Sequence, residues 1–262
     1  MQRAAGGPAT GPMRRPAPAA AAADAPHWVS LRPMLTPVEI DALLLSLQIA
    51  LAAVAVSLPL AVAAAWVLAR ARFPGRSLLD AAVHLPLVLP PVVVGYFLLL
   101  LFGSQGLLGA WLQEWFGLRL VFTRWGAALA AAVMSFPLMV RAIRLALEAV
   151  DRGLEQAART LGASRLDVFL TVTLPLMLPG IVSGCVVAFA AALGDFGATI
   201  TFVGNVQGET QTLSLAIYSL TQTPGGDAAA LRLVLISLAL ALAAMVVSER
   251  LAQRVRRQIG QA

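Results

Sequence analysis

Residues Glu155–Pro179 read EQAARTLGASRLDVFLTVTLPLMLP, and this stretch decides how the rest of the chain is read. It carries four charges, Glu155, Arg159, Arg165 and Asp167. Charged side chains are costly in hydrocarbon, so the stretch lies outside a bilayer. The segments on either side are apolar and long enough to cross one. Ala157, Ala158, Gly162 and Ala163 are small and let another surface approach the backbone closely. Ser164, with Asp167 three residues on, has the spacing of a capping box and predicts a helix start near Arg165. Gly162 suits the turn before it, as a residue free to take positive φ. Leu166, Phe169, Leu170 and Thr173 recur at helical spacing and are expected to pack back on the bundle. Leu174-Pro175 is expected to end that second short helix, because proline removes an amide donor and restricts the residue before it. The expectation is a helix–turn–helix lying across the ends of the spans.

Working outward, five apolar spans appear: Ile40–Leu68, Leu78–Phe102, Gly126–Leu147, Leu178–Val203 and Ala228–Val247. Each reaches the roughly 20 residues a helix needs to cross hydrocarbon. Composition agrees. The chain is 59% hydrophobic and 12% charged, against about 25% charge in a soluble domain. The fold class is therefore all-α integral membrane, with five predicted transmembrane helices and a polar loop over 149–178. No sixth crossing is visible in the hydropathy.

All 19 basic residues are arginine. In a soluble protein such basicity would point to nucleic acid; here arginines gather near the span ends, and positive-inside topology is the simpler reading. Arg70, Arg72 and Arg76, then Arg141 and Arg144, then Arg250, Arg254, Arg256 and Arg257 fall on one side if there are five crossings. That side is assigned to the cytoplasm. Arg3, Arg14, Arg15 and Arg32 pull the other way, but Glu39 and Asp41 lie closest to the first span. Residues 1–37 are Ala-, Pro- and Gly-rich without apolar periodicity, and are expected to be a disordered tail. Met34 is a second candidate start. The membrane domain is expected over 38–257, followed by a short tail over 258–262.

The outer loop Gly103–Trp125 carries Trp111, Trp115, Phe116 and Trp125, which fits an interfacial aromatic belt. Leu213–Leu220 is apolar but too short to span, and reads as a re-entrant or interfacial helix. One cysteine, Cys185, allows no disulfide framework. No P-loop, GxSxG or HExxH pattern occurs, and two histidines leave little for metal or acid–base chemistry. No cofactor and no metal site are expected. A membrane-embedded enzyme would need a cluster of such groups, and an ion-coupled carrier would need no polar docking loop.

Asp195 is the one acid deep in a predicted span. Two roles stay open for it: capping a helix break between Gly194 and Gly197, or lining a path. Pro86, Pro90 and Pro91 in span two and Pro137 in span three disturb backbone bonding, as beside a hydrated path or for packing alone. His84 reads as a packed or capping histidine. No arginine lies deep in any span, so a path would hold an oxyanion weakly. Ser135, Thr199 and Thr201 are its candidate lining.

The loop's spacing resembles the signature of binding-protein-dependent ABC importer permeases: acid, Ala, Ala, three residues, Gly, nine residues, aliphatic, one residue, Leu, Pro. Here it reads Gln156, Ala157, Ala158, Gly162, Val172, Leu174, Pro175. Gln156 replaces the acid, and Glu155 stands one residue earlier. The resemblance implies the type I importer fold and an ATPase-coupling loop of Glu155, Gln156, Ala157, Ala158, Gly162, Leu174 and Pro175. Asp195-Phe196-Gly197 resembles a triplet of molybdate and sulfate permeases. With LPLVLPPVVVGY over Leu85–Tyr96 and VMSFPLMVRAIRLALE over Val133–Glu148, the chain looks most like the molybdate branch. That implies a non-catalytic subunit of the bacterial inner membrane: a homodimer, two ATPase subunits and a periplasmic molybdate-binding protein. Sulfate or tungstate is the alternative substrate.

Overall fold

The computed structural model describes residues 36–259; the expectations for residues 1–35 and 260–262 lie outside that range. The regular structure of the described residues is all helix, without strands. Four helices are long and apolar enough to cross a membrane: α1 (Pro37–Arg70), α5 (Arg124–Glu148), the continuous segment Arg165–Gly194, and Asp227–Val247. The last belongs to a longer helix ending at Ile259.

Span two is not one straight helix. It divides into α2 (Arg76–Val88) and α3 (Pro91–Phe102), bent by 114°. Pro90 and Pro91 remove two successive amide donors, and the helix cannot continue through both. Pro86 inside α2 and Pro137 inside α5 interrupt nothing. The pair counts as the fifth crossing if it forms one span. The short α4 (Leu107–Phe116) follows.

The elbow opens with α6 (Arg152–Thr160), capped by Asp151, whose carboxylate accepts from Gly153 N at 2.8 Å. α7 (Arg165–Val168) has the expected capping box: Ser164 and Asp167 exchange side-chain and backbone bonds. Leu174-Pro175 does not end this helix, which corrects the sequence expectation. A π turn, Phe169–Thr173, carries the chain from α7 into α8 (Leu174–Gly194), with the Leu174 amide reaching Phe169 O. Proline costs an amide and crowds the carbonyl four residues back, and a widened turn just before it relieves both. Inward-facing residues shift as well. Val168 and Thr173 are buried, whereas Leu166 and Leu170 point outward.

Span four is broken between Gly194 and Gly197, where the sequence offered a break. α8 stops at Gly194, Asp195 and Phe196 are non-helical, and α9 (Gly197–Val203) restarts. The short α10 (Leu213–Thr221) and the long α11 (Asp227–Ile259) complete the chain.

Small residues set the packing. Lipid gives helices no hydrophobic drive toward one another, so close van der Waals fit does the work. Gly180 and Gly184, one turn apart on α8, face Ala142 and Ala146 on α5; a Cβ on Gly180 would stand 2.1 Å from that of Ala146. The two halves of α1 and α5 feed separate clusters. One gathers Ile49, Ala53, Ala127, Ala131 and Phe202. The other, nearer the elbow, gathers Leu68, Met139, Ile143, Leu147 and Met177.

Candidate functional site

Two features carry chemistry beyond packing. The first is the elbow. Gly162 has φ +93°, the left-handed conformation glycine tolerates best. The Gly162 amide donates to Arg159 O and the Ala163 amide to Ala158 O at 3.2 Å. These are the two bonds of a Schellman motif, which satisfies the last carbonyls of α6 and turns the chain sharply.

At 3.6 residues per turn, α6 has two opposed faces. Arg152, Glu155, Gln156 and Arg159 line a groove against α1. Leu154, Ala157, Ala158 and Leu161 lie on the other side, with Leu154 and Leu161 50% and 89% exposed. The residues expected to form a coupling loop are thus not one patch. Ala157, Ala158 and Gly162 share the outward side, while Glu155 and Gln156 turn toward α1. Leu174 and Pro175 are half-buried at the start of α8.

Glu155 is committed internally. Its Oε1 accepts from Arg70 at 2.7 Å and from Thr173 Oγ1 at 2.8 Å. One carboxylate therefore ties the end of α1, the face of α6 and the π turn together. Beside it, Arg144 donates to Asp80 at 3.0 Å and to Glu148 at 2.9 Å, and His84 packs against Asp80. The ends of α1 and α5 and the start of α2 accordingly meet at the elbow.

The second feature is a pair of helix breaks in contact. Gly95 of α3 lies so close to Ala198 of α9 that a Cβ would be 2.6 Å from its carbonyl oxygen. Gly197 likewise meets Pro91. The break in span two thus rests on the break in span four. Asp195 is 8% exposed, and its carboxylate accepts from both the amide and the hydroxyl of Thr199. It thus bonds the first turn of the restarted helix from the residue before its N-cap, Phe196. Thr201 bonds Gly197 O at 2.8 Å. Phe196 packs on Tyr218 of α10 with centroids 5.0 Å apart and the rings tilted by 53°, and Ser214 donates to Asp195 O at 2.7 Å. Ser46 of α1 accepts from the Leu213 amide, anchoring the start of α10. Asp195, Phe196, Gly197, Thr199 and Thr201 are therefore together. Ser135 stands apart, fully buried on α5 with its hydroxyl on Ala132 O.

Sequence reading missed the partners that come from afar: Arg70 for Glu155, Ser46 for α10, and Arg232 for Glu39 at 2.6 Å. It also passed over Gly180 and Gly184, whose small-xxx-small spacing is the signal that could have pointed to the contact with α5. Among the described residues, no group of three or more His, Cys, Asp or Glu could hold a metal.

The fold is a bundle of apolar helices that holds two broken helices in contact and ends in a charged elbow. The chain belongs to the family described as binding-protein-dependent transport system inner membrane component, which matches residues 57–257. It is a multi-pass inner-membrane protein. It is 59% identical to the molybdenum transport system permease protein ModB of Escherichia coli, over 87% of this chain and 99% of that protein. It is 39% identical to the sulfate transport system permease protein CysT of E. coli, over 73% and 70% of the two chains. Its fold is similar to a chain of the bacterial alginate ABC transporter in complex with alginate pentasaccharide-bound periplasmic protein. The TM-score is 0.68 at 21% identity, covering 88% of this chain and 83% of that one.

Proposed function

We propose that this chain is the permease subunit of an ATP-driven importer that carries molybdate across the inner membrane. The observation that carries the reading is the 59% identity to E. coli ModB over 99% of that protein. The sulfate permease relative stands at 39% and leaves sulfate as the second reading.

Two copies of the chain enclose the path on a two-fold axis, because one small bundle is too thin to gate alone. An ATPase subunit docks on the outward side of each elbow, at Leu154, Ala157, Ala158, Leu161 and Gly162. A periplasmic binding protein delivers the anion at the opposite end, near α10. The elbow end faces the cytoplasm, in keeping with its arginines.

The unbroken helix supports a lever mechanism. Arg165–Gly194 is 30 residues long, about 45 Å at ~1.5 Å per residue. ATP-driven closure of the ATPases moves the elbow. The lever carries that motion to Asp195, where α9 presses on α3. ATP thus biases two arrangements of the paired breaks by differential binding, without this chain performing hydrolysis. The path holds the anion weakly. No arginine is deep in a span, and the Thr199 amide in the first turn of α9 is taken by Asp195.

The test is reconstitution of the chain with its ATPase and binding protein in vesicles. ATP-dependent molybdate uptake that needs all three supports the reading. Uptake of sulfate in preference to molybdate would move the chain to the second reading.

A further inference from the structure

We infer that the groove between α1 and the elbow holds an anionic phospholipid. The groove has a volume of about 900 Å³. Its α1 wall is the stripe Pro59, Val62, Ala63, Trp66 and Val67, ending at Arg70. From Pro59 to Arg70 is 11 residues, about 16 Å along the helix. That equals the depth of one leaflet in a hydrocarbon core of about 30 Å. The far wall adds Phe169 and Val168 near the mouth. An acyl chain fits along such a wall, and Trp66, about half exposed, lies beside it.

The mouth is basic. Arg152, Arg159 and Arg165 line it, and among the described residues none has a carboxylate within 4 Å. Arg70 is the fourth, shared with Glu155. A second cleft of about 320 Å³ continues past Arg70 and Arg152 to Arg72 and Arg76, with Glu148 its one acid. Unpaired guanidinium groups around an apolar slot match a phosphate headgroup on an acyl chain, since arginine binds phosphate through fixed parallel donors. A zwitterionic lipid would leave the same charge unbalanced. Basic pockets between spanning helices are where anionic headgroups bind. The groove uses the α6 face opposite Ala157 and Leu161, so the lipid and a partner on the outward side do not compete.

The test uses the full chain with Trp66 as its one tryptophan, Trp28, Trp111, Trp115 and Trp125 being changed to Phe. It is placed in nanodiscs with brominated phosphatidylglycerol as a minor component of phosphatidylcholine, or with brominated phosphatidylcholine at the same level. Stronger quenching by brominated phosphatidylglycerol is expected. Arg159→Gln with Arg165→Gln should lower that preference about fivefold per arginine removed. Equal quenching by the two lipids, or a preference unchanged in the double variant, overturns the proposal. Loss of the preference in millimolar inorganic phosphate assigns the mouth to a free anion and also overturns it. The chain with all tryptophans retained gives an independent reading: mass spectrometry of the delipidated protein should find phosphatidylglycerol retained, and less of it in the double variant. No enrichment there contradicts the proposal.

Discussion

Arg70, the last residue of α1, and Glu155, in the middle of α6, meet at 2.7 Å across 85 positions of sequence. Both side chains are mostly shielded, and Thr173 shares the same carboxylate oxygen. The contact fixes the elbow against the first span at the level where α7 widens into its π turn. Elbow motion must therefore act on the whole bundle end.

Reversing one partner, in Arg70→Glu or Glu155→Arg, places like charges together in a half-shielded site. Each single change is expected to lower stability by about 3 kcal/mol, the low end for a shielded pair, and to impair uptake. The double exchange should recover most of both. Thermal unfolding in detergent and vesicle uptake check this; a double variant no better than the singles would show that the pair is incidental.

Gly162 separates two effects. Nothing lies within 4 Å of an added Cβ, yet φ is +93°. Gly162→Ala should cost about 1–2 kcal/mol of local backbone strain and leave uptake near normal. Gly162→Trp should insert into the membrane at ordinary levels but lose co-elution with the ATPase and most uptake. Full uptake in the tryptophan variant would remove the outward side of the elbow as a docking surface.

The elbow also shows how far the sequence could be read. The capping box of Ser164 and Asp167 and the positive φ of Gly162 were legible because both are local: two side chains three residues apart, and one residue without a Cβ. The passage through Leu174-Pro175 was not legible. Proline signals a break, and whether the chain breaks or widens into a π turn depends on what Val168 and Thr173 pack against. The apolar spans were legible in hydropathy. The 114° bend at Pro90 was legible as a disturbance but not as an angle, because α3 takes its direction from contact with α9. Glu155 was read only as a charge of the coupling loop, since a partner 85 residues away leaves no local trace.

Asp195 is predicted to act as a cap. Asparagine caps about as well as aspartate, whereas alanine costs about 1 kcal/mol. Asp195→Asn should keep protein level, and Asp195→Ala should lower it. Neither should change the molybdate-over-sulfate preference, measured by competition uptake with the binding protein held constant. A large swing in preference at unchanged protein level would place a selective site in the permease.

The π turn sets the azimuth of the elbow. Deleting Val172 should restore ordinary helical winding and rotate the elbow relative to α8 by about 100°. Uptake should be lost with the spans still inserted. Retained uptake would mean that the lever does not transmit elbow orientation.

The central claim is that the outward side of the elbow is where the ATPase engages. Leu161 is 89% exposed at its tip, and Leu231 is 45% exposed near the start of α11. In a Cys185→Ala background, Leu161→Cys and Leu231→Cys are each labelled with a maleimide–benzophenone reagent, whose ketone inserts on illumination into a C–H bond of whatever part of the co-expressed ATPase lies beside it. The account predicts cross-linked permease–ATPase for Leu161→Cys, protected or enhanced by nucleotide, and none for Leu231→Cys. Absence of the product at Leu161→Cys, with efficient cross-linking at Leu231→Cys, would contradict it.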